Sequence, residues 1–428
     1  MPGAVDLGST FMFKIIKELL ILPVGIIVSC ALSIPGRASV SPHGQPLTWV
    51  DPQTGHRIIQ LSREPDSENL YFNLNPFTPD GKKMVMTTPT GIDVVDLKTY
   101  EVDKIVKGNV YIIMVGLKTG RIYYATSDRC VFSIDPITKK KQKIVTLPPN
   151  EQVSTVNADE TLLAGLTVEA PGSRTKADFY DLGPNQRLTA KDARIYRYQK
   201  PQKMTEYSAR HYRMGLFSYN IKTGETKKFY SYNGWLNHLQ FSPTDPNLLL
   251  FCHEGHWYKE DRIWMIRSDG TGLKLIHQKS MPMEIAGHEF WGADGKTIWY
   301  DLHILGKPYF SLVSYDISTG FRMGYQLQSD EESVHYNVSA DGRFFSGDGK
   351  DVIKGGKWIY LFYPTTSSNQ LYSERLVNMA NNDYSTEPNA VFTPDMKWII
   401  FRGNMSGVDQ VYAVEIKGAA VRSAHRDY

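Results

Sequence analysis

The sequence predicts an all-β protein and, within that class, a seven-bladed β-propeller. Three observations lead there. One turn phrase recurs along the chain at the spacing of propeller blades. Short apolar runs follow each copy and are separated by tight Asp–Gly or Thr–Gly turns. Helical periodicity is scarce beyond the amino-terminal leader.

The phrase is an aromatic or apolar residue, then Ser or Thr, Pro or Ala, Asp and Gly. Its first copy is Phe77–Thr78–Pro79–Asp80–Gly81. Leu117–Lys118–Thr119–Gly120 fills the second place as a degenerate copy, and Val156–Asn157–Ala158–Asp159–Glu160 is a weak third. Phe241–Ser242–Pro243–Thr244–Asp245, Trp291–Gly292–Ala293–Asp294–Gly295, Val338–Ser339–Ala340–Asp341–Gly342 and Phe392–Thr393–Pro394–Asp395 complete the series. Copies roughly 40–50 residues apart match blades of about four strands. Between them lie strands such as Asp93–Val94–Val95–Asp96–Leu97, Leu216–Phe217–Ser218–Tyr219 before Thr223–Gly224, and Val313–Ser314–Tyr315–Asp316 before Thr319–Gly320. The glycines supply the positive φ that hairpin turns require. Arg57–Ile58–Ile59–Gln60–Leu61 precedes the first copy and is expected to add a strand to the last blade, so that ring closure removes exposed sheet edges.

Composition suits this reading. The 428 residues are 41% hydrophobic and 12% aromatic, a folded and strand-rich balance. A net charge of +3 creates no global field for nucleic acid, so a polyanion would have to meet a local basic patch. Three cysteines cannot make a disulfide scaffold. Cys252 follows the apolar run Leu248–Leu249–Leu250–Phe251 and reads as a buried, inert thiol.

Residues 1–38 read as a leader. Lys14 and Lys17 precede an apolar stretch from Leu19 to Ile34 that breaks at Pro35–Gly36, too short for a spanning helix. Ile27–Val28–Ser29–Cys30 resembles a lipobox, which would tether the protein to a membrane through a lipidated Cys30; ordinary cleavage near Arg37–Ala38 is the alternative. Both make the protein periplasmic or secreted. The propeller is expected over residues 45–418, with an insertion at about 168–213 where the third and fourth copies stand about twice the usual distance apart. From Arg174 to Arg213 there are ten Lys or Arg against four Asp or Glu. That charge fits a lid over an anionic ligand, the other possibility being a solvated excursion.

Aligning the copies on the first residue of the phrase places His238, His288, His335 and Asn389 three positions earlier in four consecutive blades. The innermost strand of a blade lines the central axis, so these side chains are expected to converge at one mouth of the channel. Imidazoles with carboxylate and amide oxygens suit a borderline divalent ion, Mn²⁺ or Zn²⁺. Glu387, two residues before Asn389, has the strand alternation to point the same way. Cys252–His253–Glu254–Gly255–His256 lacks the helical setting of a zincin. Neither a Walker loop, a dinucleotide fingerprint nor a G-x-S-x-G elbow occurs.

In order along the chain, Trp235–Leu236–Asn237–His238, Phe251–Cys252–His253–Glu254–Gly255, Arg262–Ile263–Trp264, His288–Glu289–Phe290–Trp291 and Gly347–Asp348–Gly349 resemble the oligogalacturonate lyases. The resemblance covers roughly Trp49 to Glu415 and implies a seven-bladed propeller with a Mn²⁺ site. It makes His238 the general base, His288 the first metal ligand and His335 a further histidine of the channel. The family's Gln-x-x-His-x-His before the last turn phrase is here Tyr384–Ser385–Thr386–Glu387–Pro388–Asn389, so Glu387 and Asn389 offer oxygen where imidazoles are usual. The family arginine aligns with Gly215; Arg213, or Arg210, is expected to replace it from the same side. Arg210, His253 and Arg402 are candidates for substrate contact. The implied activity is metal-assisted β-elimination on short pectin-derived galacturonate oligosaccharides, giving unsaturated uronates. Two alternatives stay open: a non-catalytic periplasmic binding propeller, and a lyase for another uronate oligosaccharide.

Overall fold

Seven antiparallel sheets follow one another along the chain, each drawn from a continuous stretch of sequence except the last. The computed structural model describes residues 47–169, 213–350, 357–365 and 369–416. Blade 1 has three strands between Lys83 and Lys107; blade 2 runs from Val110 to Thr146, and blade 3 from Glu151 to Asn233. Blades 4, 5 and 6 span Trp235–Leu275, Glu284–Gln326 and Tyr336–Asn378. Blade 7 combines Val391–Phe392, Trp398–Gly403 and Gln410–Glu415 with two strands from the other end of the chain, Arg57–Gln60 and Thr48–Val50. No helix occurs among the described residues.

Hydrophobic clusters sit in the gaps between successive blades, which is what makes the sheets a ring. Ile112, Val115 and Tyr124 pack against Val85, Ile92 and Val94 between blades 1 and 2. Trp235, Leu239 and Phe251 of blade 4 meet Leu166, Met214 and Leu216 of blade 3. Leu248, Leu250 and Ile263 of blade 4 meet Ile298 and Tyr300 of blade 5. The ring closes where Arg57–Gln60 pairs antiparallel with Gln410–Glu415, Ile58 opposite Val414 and Ile59 opposite Ala413. The strand expected from Arg57–Leu61 is therefore present in the last blade.

The turn phrase ends the innermost strand in blades 3 to 7. Trp291 pairs with Ile298, Val338 with Phe345, Phe392 with Ile399 and Val156 with Leu163, always seven residues on. In blade 2 the pair is Val115 with Ile122, so the structural equivalent is Val115 and the expected alignment on Leu117 is two residues late. The physical reason is that Gly116–Arg121 forms the turn, which makes Leu117 a turn residue. Blade 1 has no regular inner strand; residues 68–77 take that place through the isolated bridges Glu68 with Thr87 and Phe77 with Met84. The insertion joins Glu169 to Arg213, which face each other as neighbours in blade 3. The basic segment itself, Arg210, and the leader with Cys30 lie outside the described residues.

Candidate active site

The inner strands of blades 4 and 5 carry the same irregularity. In blade 4, Asn237 pairs with Cys252 and Gln240 with Leu250, so His238 and Leu239 together face one residue. In blade 5, Gly287 pairs with Asp301 and Phe290 with Trp299, so His288 and Glu289 form the bulge. A bulge re-aims side chains that regular pleating would send elsewhere. Its first residue is left-handed in each case, with φ of 53° at His238 and 48° at His288, and Asn389 of blade 7 adopts 51°. For residues with a Cβ such backbone costs of order 1–3 kcal/mol each, a strain that clusters at functional sites.

The register brings the imidazoles together. The rings of His288 and His335 lie 4.9 Å apart between centroids. Tyr71, from the segment that replaces the inner strand of blade 1, lies 5.8 Å from the ring of His238 and 5.1 Å from that of His335. Phe72 packs tilted at 4.8 Å against His335 and reaches Phe290 at 5.7 Å, forming a floor beneath the histidines. Beyond that floor, a cavity of about 270 Å³ is lined by Phe72, Phe241, Trp291 and Phe392 at the far ends of the inner strands. It holds none of the histidines.

Each imidazole is gripped from behind by a buried carboxylate. His238 Nδ1 lies 3.1 Å from Glu289 Oε1, His288 Nδ1 2.7 Å from Asp301 Oδ1, and His335 Nδ1 2.8 Å from Asp348 Oδ2. The three acids are 0–1% exposed. A carboxylate on one ring nitrogen sets the tautomer and leaves Nε2 available, the arrangement found behind metal-binding and catalytic histidines. Burial alone would raise the Asp301 carboxyl, but the charge and hydrogen bond of His288, with the hydrogen bond of His303, outweigh it and hold Asp301 well below the usual carboxylate range. Asp348 also accepts the backbone N–H groups of Val334, His335 and Asn389 at 3.1, 2.9 and 3.1 Å. A Cβ on Gly347, just before it, would stand 2.4 Å from Ser333 Oγ, so only glycine brings the chain this close.

The remaining expected residues are placed as follows. Glu387 is partly exposed, its Oε2 3.8 Å from His335 Nε2. Asn389 is buried with both ends of its amide engaged: Oδ1 accepts the N–H of Phe72 at 3.2 Å, and Nδ2 donates to the Glu387 carbonyl at 2.9 Å. Tyr384 is buried, and its hydroxyl donates to the Asp348 carbonyl. Arg402 donates to the Glu387 carbonyl at 2.7 Å and pairs with Glu68 at 3.1 Å. Arg213 is exposed at the start of the third strand of blade 3, donating to Ser231 Oγ at 2.8 Å, and the next residue, Met214, touches the inner strand of blade 4 at Leu236. His253 lies in the wall between blades 3 and 4, stacked on Tyr232 at 3.8 Å and Trp264 at 4.8 Å. Cys252 is buried as expected; burial and the charges of Glu289 and Glu254 push its thiol well up.

Residues 188–420, more than half of the chain, match the oligogalacturonate lyase family model. The chain belongs to the oligogalacturonate lyase family. The oligogalacturonate lyase of Dickeya dadantii (strain 3937) is 23% identical over 396 residues, covering 86% of this chain and 95% of its own. The oligogalacturonide lyase of Pectobacterium atrosepticum gives the same identity and coverage over 397 residues. A solved structure of an oligogalacturonate lyase in complex with manganese superposes with a TM-score of 0.72 at 21% identity, covering 88% of this chain and 97% of that one. This likeness supports the seven-bladed fold.

Tyr71 and the carboxylates of Glu289, Asp301 and Asp348 behind the imidazoles had no place among the residues expected from sequence. Glu289 and Asp348 stood inside the motifs His288–Glu289–Phe290–Trp291 and Gly347–Asp348–Gly349. Asp301 was visible only as a charge inside the otherwise apolar run Ile298–Trp299–Tyr300–Asp301–Leu302. A charge in such a run is seldom buried without a partner, and this one has two. Tyr71 gave no register signal, since blade 1 lacks the regular strand from which to count.

Proposed function

We propose that this protein is a lyase for short oligogalacturonides, splitting the chain by β-elimination next to a uronate carboxylate. The carrying observation is the convergence of three imidazoles, each fixed through Nδ1 by a buried carboxylate, at one mouth of a propeller of this family. His288, His335 and the Glu387 carboxylate offer nitrogen and oxygen donors of the kind that suits Mn²⁺, with Glu387 Oε2 3.8 Å from His335 Nε2 and the ring of His288 4.9 Å from that of His335. With the amide of Asn389 engaged elsewhere, these residues would hold the ion. A bound Mn²⁺ supplies a Lewis acid that neutralises the C6 carboxylate and favours loss of the C5 proton.

The chain's own residues do the rest. His238 Nε2 takes the C5 proton, a neutral imidazole being an effective base near neutrality; the C5–H electron pair becomes the C4=C5 double bond as the C4–O glycosidic bond breaks, and the departing oxygen takes a proton from solvent. Arg213 at the rim offers a guanidinium for a substrate carboxylate. Tyr71 stays a neutral phenol, because burial and the charges of Glu387, Glu289 and Glu254 push its ionisation well up, so it adds no negative charge beside the substrate. Phe72 closes the floor, which fits short oligomers better than a polymer threaded through the channel.

The test is ultraviolet absorbance of the unsaturated uronate on incubation with digalacturonate and polygalacturonate, with Mn²⁺ or chelator. Turnover is expected on the short substrate only with metal, and His238→Ala should lose at least about 100-fold, the usual contribution of a general base. No product from any oligogalacturonide would overturn the reading in favour of a binding propeller or another uronate substrate. Near-native turnover by His238→Ala would remove His238 as base.

A further inference from the structure

Glu289 is an anomaly for packing. It is the second residue of the blade 5 bulge, and the matching positions are Leu239 in blade 4, Tyr336 in blade 6 and Ala390 in blade 7, all buried in the gaps between blades. A carboxylate in that position is 0% exposed, and its Oε2 finds no hydrogen-bond partner among the described residues. Leaving a buried polar oxygen without a hydrogen bond is costly, so apolar packing does not account for it. Its other oxygen, Oε1, reaches out of its own blade to His238 Nδ1 at 3.1 Å, and His238 is its ion-pair partner. The reach is held rigid from the backbone, because the buried Gln240 of blade 4 donates to the Glu289 carbonyl at 3.0 Å.

We infer that Glu289 is the positioning residue of His238, an inference that rests on the lyase reading above for its catalytic consequence. The 3.1 Å contact places Glu289 Oε1 as the acceptor for Nδ1–H of His238, which leaves the lone pair on Nε2. When His238 takes the C5 proton it becomes an imidazolium donating Nδ1–H to the same anion, and no proton moves to Glu289. The pairing has the logic by which a buried acid orients the histidine of a serine-protease triad. The two bulge residues also divide the work: His288 pairs with Asp301 beside the ring of His335, while Glu289 crosses to His238 in the preceding blade. One local irregularity thus sets the base and a metal ligand relative to each other.

Two measurements test this. In metal-free protein with ¹⁵N-labelled histidine, the His238 ring should show a protonated Nδ1 and a lone pair on Nε2; Glu289→Ala should shift the population towards the other tautomer. In steady-state kinetics the isosteric Glu289→Gln should lose about 10–100-fold in kcat, the usual effect of removing such a supporting partner, with KM little changed. A native His238 protonated on Nε2 would overturn the proposal, as would a Glu289→Gln variant with native kcat. The tautomer is read without substrate, so it decides the role of Glu289 even if no oligogalacturonide is turned over.

Discussion

At the scale of single residues, the site is a set of imidazoles whose freedom has been removed from behind. His335 shows this most fully. Asp348 accepts its ring Nδ1, its backbone N–H and the N–H groups of Val334 and Asn389, all within one buried carboxyl. Replacing Asp348 by Ala strands several buried donors, each worth about 1–3 kcal/mol. Asp348→Ala is expected to lower the unfolding free energy by at least about 3 kcal/mol and to weaken Mn²⁺ binding by about 10–100-fold. Urea titration and calorimetry check the two effects, and an unchanged midpoint would show that the donors find other partners. The histidines themselves were legible in the sequence because identical offsets from a repeated turn mean identical places around the axis. Their acids were not: each comes from elsewhere in the chain, up to 51 residues away for Glu289, and only folding shows which acid faces which ring.

At the scale of elements, the wall between blades 3 and 4 holds His253 in an aromatic enclosure. His253 is enclosed by Tyr232 and Trp264, with Tyr230 hydroxyl 3.1 Å from Nε2. Burial lowers its pKa from 6.5 to about 4, so the folded protein holds it neutral. The unfolded chain therefore binds more protons than the folded one between those values, and stability rises with pH across that window. At 1.36 kcal/mol per unit, acidification from pH 7 to below 4 removes about 3 kcal/mol through this residue. Urea midpoints for the native protein and His253→Phe at pH 7 and pH 4.5 isolate it; the variant should lose distinctly less on acidification, and parallel losses would contradict the buried neutral state. The strand that carries His253 was readable from Leu248–Leu249–Leu250–Phe251, but its aromatic neighbours belong partly to another blade.

At the scale of the molecule, closure depends on a strand far from its partners in sequence. Ile58 and Ile59 are 1% exposed, packing on opposite sides of blade 7: Ile58 with the blade 6 cluster and Ile59 with the residues of blade 1. A charge at position 59 would sit in that core without a partner. Ile59→Asp is expected to cost more than about 3 kcal/mol and to expose Gln410–Glu415 as a sheet edge open to other chains. Thermal unfolding and size-exclusion chromatography should show a lowered Tm and larger species. A monomer of native Tm would mean that the ring does not need this latch. The seven turn phrases made the number of blades countable, and the apolar Arg57–Leu61 segment made the latch foreseeable. The degenerate blade 2 copy was misaligned by two residues because Val115 is followed by Gly116–Leu117–Lys118 rather than the Ser or Thr, Pro or Ala and Asp that mark the strand end elsewhere.

Sequence alone determined the number of blades and the four equivalent positions that carry His238, His288, His335 and Asn389, since these follow from local periodicity and turn chemistry; the three strands of blade 1 and the five of blade 7 came from the structure. Tertiary structure decided which of those side chains are available. Asn389 gives its amide to Phe72 and the Glu387 carbonyl, whereas Glu387 is turned to His335. It also decided that Glu289 faces His238 of a neighbouring blade. The reason is physical: hydrogen-bond partners and buried charges are settled by proximity across blades, and no repeat along one strand records what the next sheet places against it.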